Sequence, residues 1–216
     1  MYVTFVAGGI ASGKSTVSRR LRRLGAALVD LDALSREVCA PGSPVLARLA
    51  EEFGDDVLDP ATGELRRAEL ARRAFASPAA TRALERIEHP AIKEALAARL
   101  GMLAGLGHPP RLCVVEVPLL DKALDLVPLA DEVVAVTCPA ALRRERAVER
   151  GMEPADVDRR MAAQPAEAFL VEHADIVIEN VGTYEELIGE VDRWYGRRAR
   201  RGFSWPPEGS EDEQDA

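Results

Sequence analysis

The chain has 216 residues, of which 47% are hydrophobic, and this is enough to bury the core of one compact domain or of one domain with a sizeable insertion. No apolar run approaches the ~20 residues of a membrane helix, and no basic-then-apolar leader is present, so we expect a cytoplasmic protein without a membrane partner. The net charge of -8 at pH 7 argues against nucleic acid as a partner. Composition leaves open a monomer or a small homo-oligomer.

The chain opens with an alternation of strand and helix. Tyr2 to Ala7 is predicted to be a buried strand, Ser15 to Leu24 a helix with apolar residues at helical spacing, and Ala26 to Leu31 a second short strand. From Ala33 to Leu106 the pattern is almost wholly helical. This long excursion before the next strand indicates a helical insertion.

Three more apolar runs follow, each separated from the next by helical sequence. They are Arg111–Leu120, Glu132–Cys138 and Ala174–Asn180. Strands that alternate with helices and are apolar throughout predict a parallel sheet covered on both faces. The sequence therefore predicts a five-stranded α/β core whose ligands bind beyond the carboxyl ends of the strands. Residues 202–216 are predicted to form a disordered acidic tail.

One glycine-rich segment directly follows the first predicted strand and directly precedes the first helix. Its sequence, GGIASGKS from Gly8 to Ser15, matches the pattern GxxxxGK[ST] at every fixed position. Such a loop points backbone N–H groups at a polyphosphate, Lys14 would reach the β and γ phosphates, and the Ser15 hydroxyl would bind Mg²⁺. A glycine-rich turn formed by chance is the alternative, and the strand–loop–helix context argues against it. The predicted nucleotide-binding residues are Gly9, Ile10, Ala11, Ser12, Gly13, Lys14, Ser15 and Thr16.

Two aspartates end the second predicted strand, in the segment VDLD. Transfer of a phosphoryl group to a hydroxyl needs a group that accepts the proton, and a carboxylate at a strand end facing the phosphates would serve. Strand alternation places Asp30 and Asp32 on the same face, so one could face the acceptor while the other caps the next helix. Local pattern alone favours Asp32 as the cap, whereas the neighbouring phosphate loop favours a catalytic role, and both alternatives stay open on the residues alone.

Several segments together resemble the dephospho-CoA kinase family in their order and spacing. They are GGIASGKST, LGAALVDLDALSREV, PGSPVLARLAEEFG, HPAI, VVEVPLL, RAVERG with RRMAAQ, and ADIVIEN. That family transfers the γ-phosphate of ATP to the ribose 3′-hydroxyl of dephospho-CoA. The resemblance implies a P-loop NTPase-type core over residues 1–32 and 111–201, a helical substrate-binding insertion over residues 33–110, and a helical lid at about residues 139–165. It also implies ATP and Mg²⁺ as cofactors and dephospho-CoA as the second substrate.

The resemblance further implies roles for individual residues of the core and lid. Asp32 corresponds to the catalytic base of the family. Lid arginines would act on the transferred phosphoryl group when the lid closes. The candidates are Arg146 and Arg150, one helical turn apart, with Arg160 and Gln164 farther along. A solvated helix surface is the alternative for such arginines, and we expect it for Arg143 and Arg144.

The implied substrate-binding residues are Asp32, His89, Arg67, Leu119 and Leu120. For His89 the sequence alone favours a residue that caps or packs where Pro90 opens a new helix, whereas the resemblance moves it towards the substrate pocket. Arg66 and Arg67 could meet a substrate phosphate, and exposed helix arginines are the alternative.

The chain departs from the family pattern around PLL and at the lid. Asp121 and Lys122 stand where the family usually has an aromatic residue and a glutamate, Glu116 replaces an aspartate, and Arg143 replaces a glutamine. Two alternatives to the kinase hypothesis therefore stay open. One is another P-loop kinase of nucleosides or nucleotides. The other is a non-catalytic nucleotide- or CoA-binding regulatory module, for which the altered PLLDK segment is the hint.

Overall fold

The computed structural model describes residues 1–203, so residues 204–216 of the predicted acidic tail lie outside the described residues. The chain divides into two compact units. The first, the core unit, comprises Met1–Val29 and the chain from Leu106 onward, and the second, the helical unit, comprises Asp30–Gly105. No helix within residues 1–203 combines the length and the apolar character that crossing a membrane requires.

Five strands form one sheet. They are β1 (Tyr2–Ala7), β2 (Ala27–Asp30), β3 (Leu112–Val117), β4 (Glu132–Thr137) and β5 (Ile176–Glu179). Their order across the sheet is β2-β3-β1-β4-β5 and all of them run parallel, which confirms the predicted fold class. Every residue of β1 and β4 is buried, because helices flank the sheet and leave no strand face for water.

Helices separate the strands along the chain. They are α1 (Lys14–Arg23), α2 (Leu31–Val38), α3 (Pro44–Phe53), α4 (Arg67–Ala74), α5 (Pro78–Ala104), α6 (Ala140–Glu149), α7 (Pro154–Ala162), α8 (Glu167–Glu172) and α9 (Tyr184–Arg200). Short 3-10 segments lie at Asp55–Val57, Leu120–Lys122 and Leu124–Leu129. The chain therefore leaves the sheet after β2, forms α2 to α5 in the helical unit, and returns as β3.

The core unit buries a charged pair between β4 and α9. Glu132, the first residue of β4, is 1% exposed, and its carboxylate accepts hydrogen bonds from Trp194 Nε1 and Arg198 Nε, each at 3.2 Å. Burial beside this carboxylate raises the pKa of the Tyr2 hydroxyl. Because a buried charge is costly unless it is paired and hydrogen-bonded, the cluster ties the start of β4 to α9.

The packed core extends into the predicted tail. Phe203 is buried, and the centroid of its ring lies 5.3 Å from that of Tyr195 and 6.2 Å from that of Tyr2. Aromatic rings at such separations stabilise a core beyond their burial alone. The predicted start of the disordered tail at Gly202 is therefore too early, because the sequence pattern gave no sign of aromatic partners for Phe203.

The helical unit has a core of its own. Its helix α3 begins after Ser43, whose hydroxyl accepts a hydrogen bond from Leu46 N at 3.1 Å and so caps the helix. Leu49, Val57 and Ala74, from α3, the first 3-10 segment and α4, are completely buried. This packing gives the unit a hydrophobic centre separate from that of the sheet.

Helix α5 passes through Pro90 without interruption. The prediction that Pro90 opens a new helix is wrong, because Pro90 lies inside the 27-residue helix Pro78–Ala104. A proline inside a helix removes one backbone hydrogen bond and strains the preceding turn. Ile87 and Leu96 on either side are buried, so packing of the continuous helix outweighs this local cost.

Candidate active site

The phosphate-loop motif forms the connection between β1 and α1. Gly13 has a φ of 109°, in the region that favours glycine, and a Cβ at this position would overlap the side-chain amide of Asn180. The carbonyl of Gly13 accepts from Thr16 N at 2.9 Å and from Val17 N at 3.1 Å, which starts the first turn of α1. The motif therefore has the strand–loop–helix arrangement that a phosphate-binding loop requires.

Lys14 and Ser15 are the first two residues of α1. Lys14 Nζ donates to Gly8 O at 2.6 Å and to Gly9 O at 3.1 Å, so the ammonium group lies against the loop. Ser15 is exposed. A cation and an exposed hydroxyl at a helix N-terminus, where the helix dipole is positive, suit a phosphate group.

Asn180 holds the loop from the end of β5. Its Nδ2 donates to Ser12 O at 2.7 Å, and both residues are buried. Asn180 ends the segment ADIVIEN, and the sequence predicted no role for it. The signal that could have found it is its position, because a polar residue at the carboxyl end of a parallel strand lies at the edge where ligands bind.

Two residues of the predicted lid contact the first part of the loop. Gln164 Oε1 accepts from Ile10 N at 2.8 Å and from Arg143 Nη1 at 3.3 Å, and Arg143 Nε donates to Cys138 O at 3.1 Å. A Cβ at Gly9 would overlap the guanidinium of Arg143. The prediction that Arg143 belongs to a solvated helix surface is therefore wrong, because its side chain points to the loop and is held there.

Arg146 also reaches this end of the sheet. Its Nη1 donates to Asn180 O at 3.1 Å and its Nη2 donates to Gly182 O at 3.2 Å. Since Asn180 holds Ser12, Arg146 is connected to the phosphate loop through one intermediate residue. The structure thus brings together the predicted Lys14 and Arg146 around the loop.

The other arginines of α6 and α7 lie on the protein surface. Arg150 follows α6 and is exposed. Arg160 pairs with Asp156 at 2.9 Å, and Arg144 pairs with Asp158 at 2.7 Å. Hydrogen bonds within residues 1–203 do not connect Arg150 or Arg160 to the phosphate loop. Arg144 lies at the surface, as expected from the sequence.

Asp30, rather than Asp32, caps helix α2. Its carboxylate accepts from Asp32 N at 2.9 Å and from Ala33 N at 3.2 Å. The local preference for Asp32 as the cap is therefore wrong, because the helix begins at Leu31, two residues earlier than predicted. Asp32 instead lies in the first turn of α2.

Two predicted substrate residues lie near one enclosed carboxyl of the helical unit. Glu88 is half-buried and accepts from Cys39 Sγ at 3.5 Å. Burial raises the pKa of Glu88, and the Cys39 hydrogen bond and the charges of Arg67 and His89 offset part of that increase. Burial likewise raises the pKa of the Cys39 thiol to about 12. Arg67 and His89 are therefore near the same side chain, although α4 and α5 carry them separately.

The end of β3 and the segment after it carry the departures from the family pattern other than Arg143. Leu119 is half-buried, and Leu120 is 1% exposed and belongs to the core in this structure. Glu116 stands in register with Val6 of β1. One carboxylate oxygen of Asp121 is buried without a hydrogen-bond partner among the atoms of residues 1–203.

Comparisons with known proteins agree with one another. The family model described as dephospho-CoA kinase matches residues 2–186. A dephospho-CoA kinase from Anaeromyxobacter dehalogenans is 43% identical over 212 residues, which cover 96% of this chain and 99% of that protein.

Solved structures are similar as well. The crystal structure of TT1252 from Thermus thermophilus has a TM-score of 0.74 and 30% identity, and the match covers 91% of this chain and 97% of that one. A dephospho-CoA kinase from Campylobacter jejuni has a TM-score of 0.69 at 21% identity over 94% of this chain and 98% of that one, a likeness that shows the fold.

The matches extend over nearly the whole chain and include the phosphate-loop motif, helices α6 and α7 and the helical unit. They support the kinase hypothesis and neither of its two alternatives. This chain belongs to the dephospho-CoA kinase family.

Proposed function

We propose that this chain is a kinase that transfers the γ-phosphate of ATP to the ribose 3′-hydroxyl of dephospho-CoA, which yields CoA and ADP. The observation that carries the proposal is the contact of Lys14 Nζ with the carbonyls of Gly8 and Gly9, in the phosphate loop of a chain that belongs to this family. The reaction takes place in the cytoplasm, with ATP and dephospho-CoA as partners and without nucleic acid or a membrane. The enzyme acts as a monomer or a small homo-oligomer.

Lys14 and the amides of residues 9–16 bind the phosphates of ATP in this proposal. Charge spreads over the phosphoryl oxygens in the transition state, so fixed cations and N–H groups stabilise it more than the ground state. Arg146 adds a cation, because its present acceptors, two carbonyl oxygens and the sulfur of Cys138, are neutral groups that a phosphate oxygen would replace. Arg150 joins it when the lid, at about residues 139–165, closes.

Mg²⁺ binds together with the nucleotide. This ion prefers oxygen ligands, keeps several waters and is usually held by one or two protein oxygens plus substrate phosphates. The exposed hydroxyl of Ser15, next to Lys14, fits that requirement. No group of three His, Cys, Asp or Glu side chains within residues 1–203 could hold an ion, which agrees with a metal that arrives with ATP. When bound, the ion would neutralise charge on the phosphates.

Asp32 is the general base of the proposed reaction. Asp30 already caps α2, so the helix does not need Asp32 for that purpose. The carboxylate of Asp32 accepts the proton of the 3′-hydroxyl while that oxygen bonds to the γ-phosphorus. The bond between the γ-phosphorus and the β–γ bridging oxygen breaks, and ADP leaves with the electron pair.

The helical insertion, residues 33–110, binds dephospho-CoA in this proposal. Arg67 and His89 both lie near the enclosed carboxyl of Glu88, and an arginine and a histidine gathered in one place suit a substrate that carries phosphates. Leu119, which is half-buried, contributes an apolar contact to the acceptor, whereas the predicted role of Leu120 is not kept because its side chain is buried in the core.

The test of this function is ADP production from Mg-ATP with dephospho-CoA, with adenosine, AMP, uridine and no acceptor as controls. We expect turnover with dephospho-CoA alone. Equal turnover with AMP or uridine would identify another P-loop kinase. Tight ATP binding without turnover on any acceptor would identify a regulatory module.

A further inference from the structure

Adjacent arginines on α6 have different kinds of partner. Arg144 pairs with the carboxylate of Asp158 at 2.7 Å, whereas Arg143 donates to the neutral oxygens Cys138 O at 3.1 Å and Gln164 Oε1 at 3.3 Å. No carboxylate pairs with Arg143 among residues 1–203. The two neutral acceptors orient the guanidinium of Arg143 and leave its charge available to an anion.

The guanidinium of Arg143 lies over the first part of the phosphate loop. A Cβ at Gly9 would overlap Nη1 of Arg143, and Gly9 O also accepts from Lys14 Nζ at 3.1 Å. Two cationic side chains therefore meet at Gly9. Because like charges at short range repel each other, an anion bound between them would be stabilised by both.

A single oxygen atom marks where such an anion would lie. Gln164 Oε1 accepts from Ile10 N at 2.8 Å and from Arg143 Nη1 at 3.3 Å, so a loop amide and a guanidinium converge on it. An anionic oxygen accepts hydrogen bonds that are roughly twice as strong as those to a neutral oxygen. A phosphate oxygen could therefore displace the amide oxygen of Gln164 and take both donors.

We propose that Arg143 is a phosphate-binding residue and that it contacts the γ-phosphate of ATP at the position that Gln164 Oε1 fills in this structure. The inference rests on the proposed function, because it takes ATP as the ligand. In loops of this type the amides cradle the α and β phosphates and the lysine reaches the β and γ phosphates. Gly9 and Ile10, at the start of the loop, are then left for the terminal phosphate.

Calorimetric binding of Mg-ATP and of Mg-ADP, without an acceptor, tests this assignment. Arg143→Gln removes the charge, and Arg144→Gln, one residue along, is the matched control. We expect Arg143→Gln to weaken Mg-ATP binding by about tenfold or more, because a charge-assisted hydrogen bond to phosphate is lost, and to change Mg-ADP binding by less than about twofold. Arg144→Gln should change neither affinity.

Two results would overturn the assignment to the γ-phosphate. One is unchanged Mg-ATP binding by Arg143→Gln, and the other is an equal loss of affinity for Mg-ATP and Mg-ADP. Arg143→Met, which keeps the aliphatic stem without donors, should reproduce the Arg143→Gln result, and thermal melts of all variants check that they are folded. Because no acceptor is present, the assay reports on Arg143 even if dephospho-CoA is the wrong acceptor. A wild-type chain that fails to bind Mg-ATP would overturn both proposals.

Discussion

Each unit of the chain contains an acidic side chain that is wholly or partly removed from water, and the two side chains have different kinds of hydrogen-bond partner. In the core unit, Glu132 is buried and its carboxylate is paired with Arg198 and hydrogen-bonded to Trp194. In the helical unit, Glu88 accepts a hydrogen bond from the weakly polar thiol of Cys39, and burial raises its pKa. Removing one partner of a buried ion pair is strongly destabilising because it leaves a buried charge uncompensated, whereas a carboxyl with a perturbed pKa is typical of functional sites. We therefore expect a change at Glu132 to affect stability, and we assign Glu88 to the proposed substrate-binding insertion.

The same division applies to the proposed chemistry. The core unit carries Lys14 and the phosphate loop, which in the proposed reaction would bind and stabilise the group that is transferred. The helical unit carries Asp32, which in that proposal would receive the proton of the acceptor. Phosphate binding by the core unit and proton transfer by the helical unit can therefore be tested separately, each by one substitution that should leave both units folded.

The largest effect should come from removing the cation of the phosphate loop. Lys14→Ala should lower kcat by about 10³-fold or more, because the lysine stabilises charge that develops chiefly in the transition state. Steady-state kinetics with Mg-ATP and dephospho-CoA measure this loss. Lys93→Ala, at an exposed position of α5, is the control and should keep wild-type activity. Near-normal turnover of Lys14→Ala would remove the basis for the phosphate-loop assignment.

A smaller loss should follow from removing the proposed base in the helical unit. Asp32→Asn should lower kcat by about 10²- to 10⁴-fold and raise KM much less, as expected for loss of a proton acceptor. Asp30→Asn is the matched control, because asparagine caps helices about as well as aspartate. Preserved kcat together with a lower melting temperature in Asp32→Asn would show a structural role instead.

The paired glutamate of the core unit should affect stability rather than catalysis. Glu132→Gln removes the negative charge that pairs with the buried guanidinium of Arg198, so the free energy of unfolding should fall by about 3–5 kcal/mol. Urea unfolding measures the change. Glu190→Gln, which breaks the exposed pair with Arg193 on the same helix, should change stability little. Equal stability of Glu132→Gln and wild type would contradict the stabilising role of the buried pair.

The smallest effect, of opposite sign, should come from the same replacement in the helical unit. Because the pKa of Glu88 is raised above its ordinary value of 4.5, its ionisation lowers stability as the pH rises from 4.5 through the raised pKa. Glu88→Gln mimics the protonated form and keeps the oxygen that accepts from Cys39. It should therefore match the wild type at pH 4 and be more stable than the wild type at pH 7. Melting temperatures over that pH range measure the difference, and destabilisation at pH 7 would contradict it.

The sequence predicted those parts of the fold that depend on continuous apolar runs and fixed spacings. The five parallel strands were found because strands buried on both faces are apolar throughout, and the phosphate loop was found because its glycines, Lys14 and Ser15 have a fixed spacing. Pro90 was misread because local propensity indicates a helix start there, whereas the packing of α5 overrides it. The cap of α2 was misread because a shift of two residues in the helix start exchanges the roles of Asp30 and Asp32.

Side-chain contacts of the site were harder to predict than the elements that carry it. Adjacent residues on a helix point about 100° apart, so Arg143 reaches the phosphate loop while Arg144 pairs at the surface. A run of arginines in the sequence gives no sign of which one faces the loop. Asn180 contacts Ser12 only because β5 lies two strands from β1, and the strand order cannot be read from the sequence pattern alone.

Transfer of a γ-phosphoryl group labelled with oxygen-18 from Mg-ATP to dephospho-CoA tests the central claim most directly, with the labelled phosphoryl group located in the product by the isotope shift of its resonance in phosphorus NMR. The proposed function predicts that the label appears on the ribose 3′-oxygen of a product that is identical to CoA, and that Lys14→Ala and Asp32→Asn form almost none of it. Label found in inorganic phosphate alone, or on another hydroxyl of the acceptor, would contradict the claim.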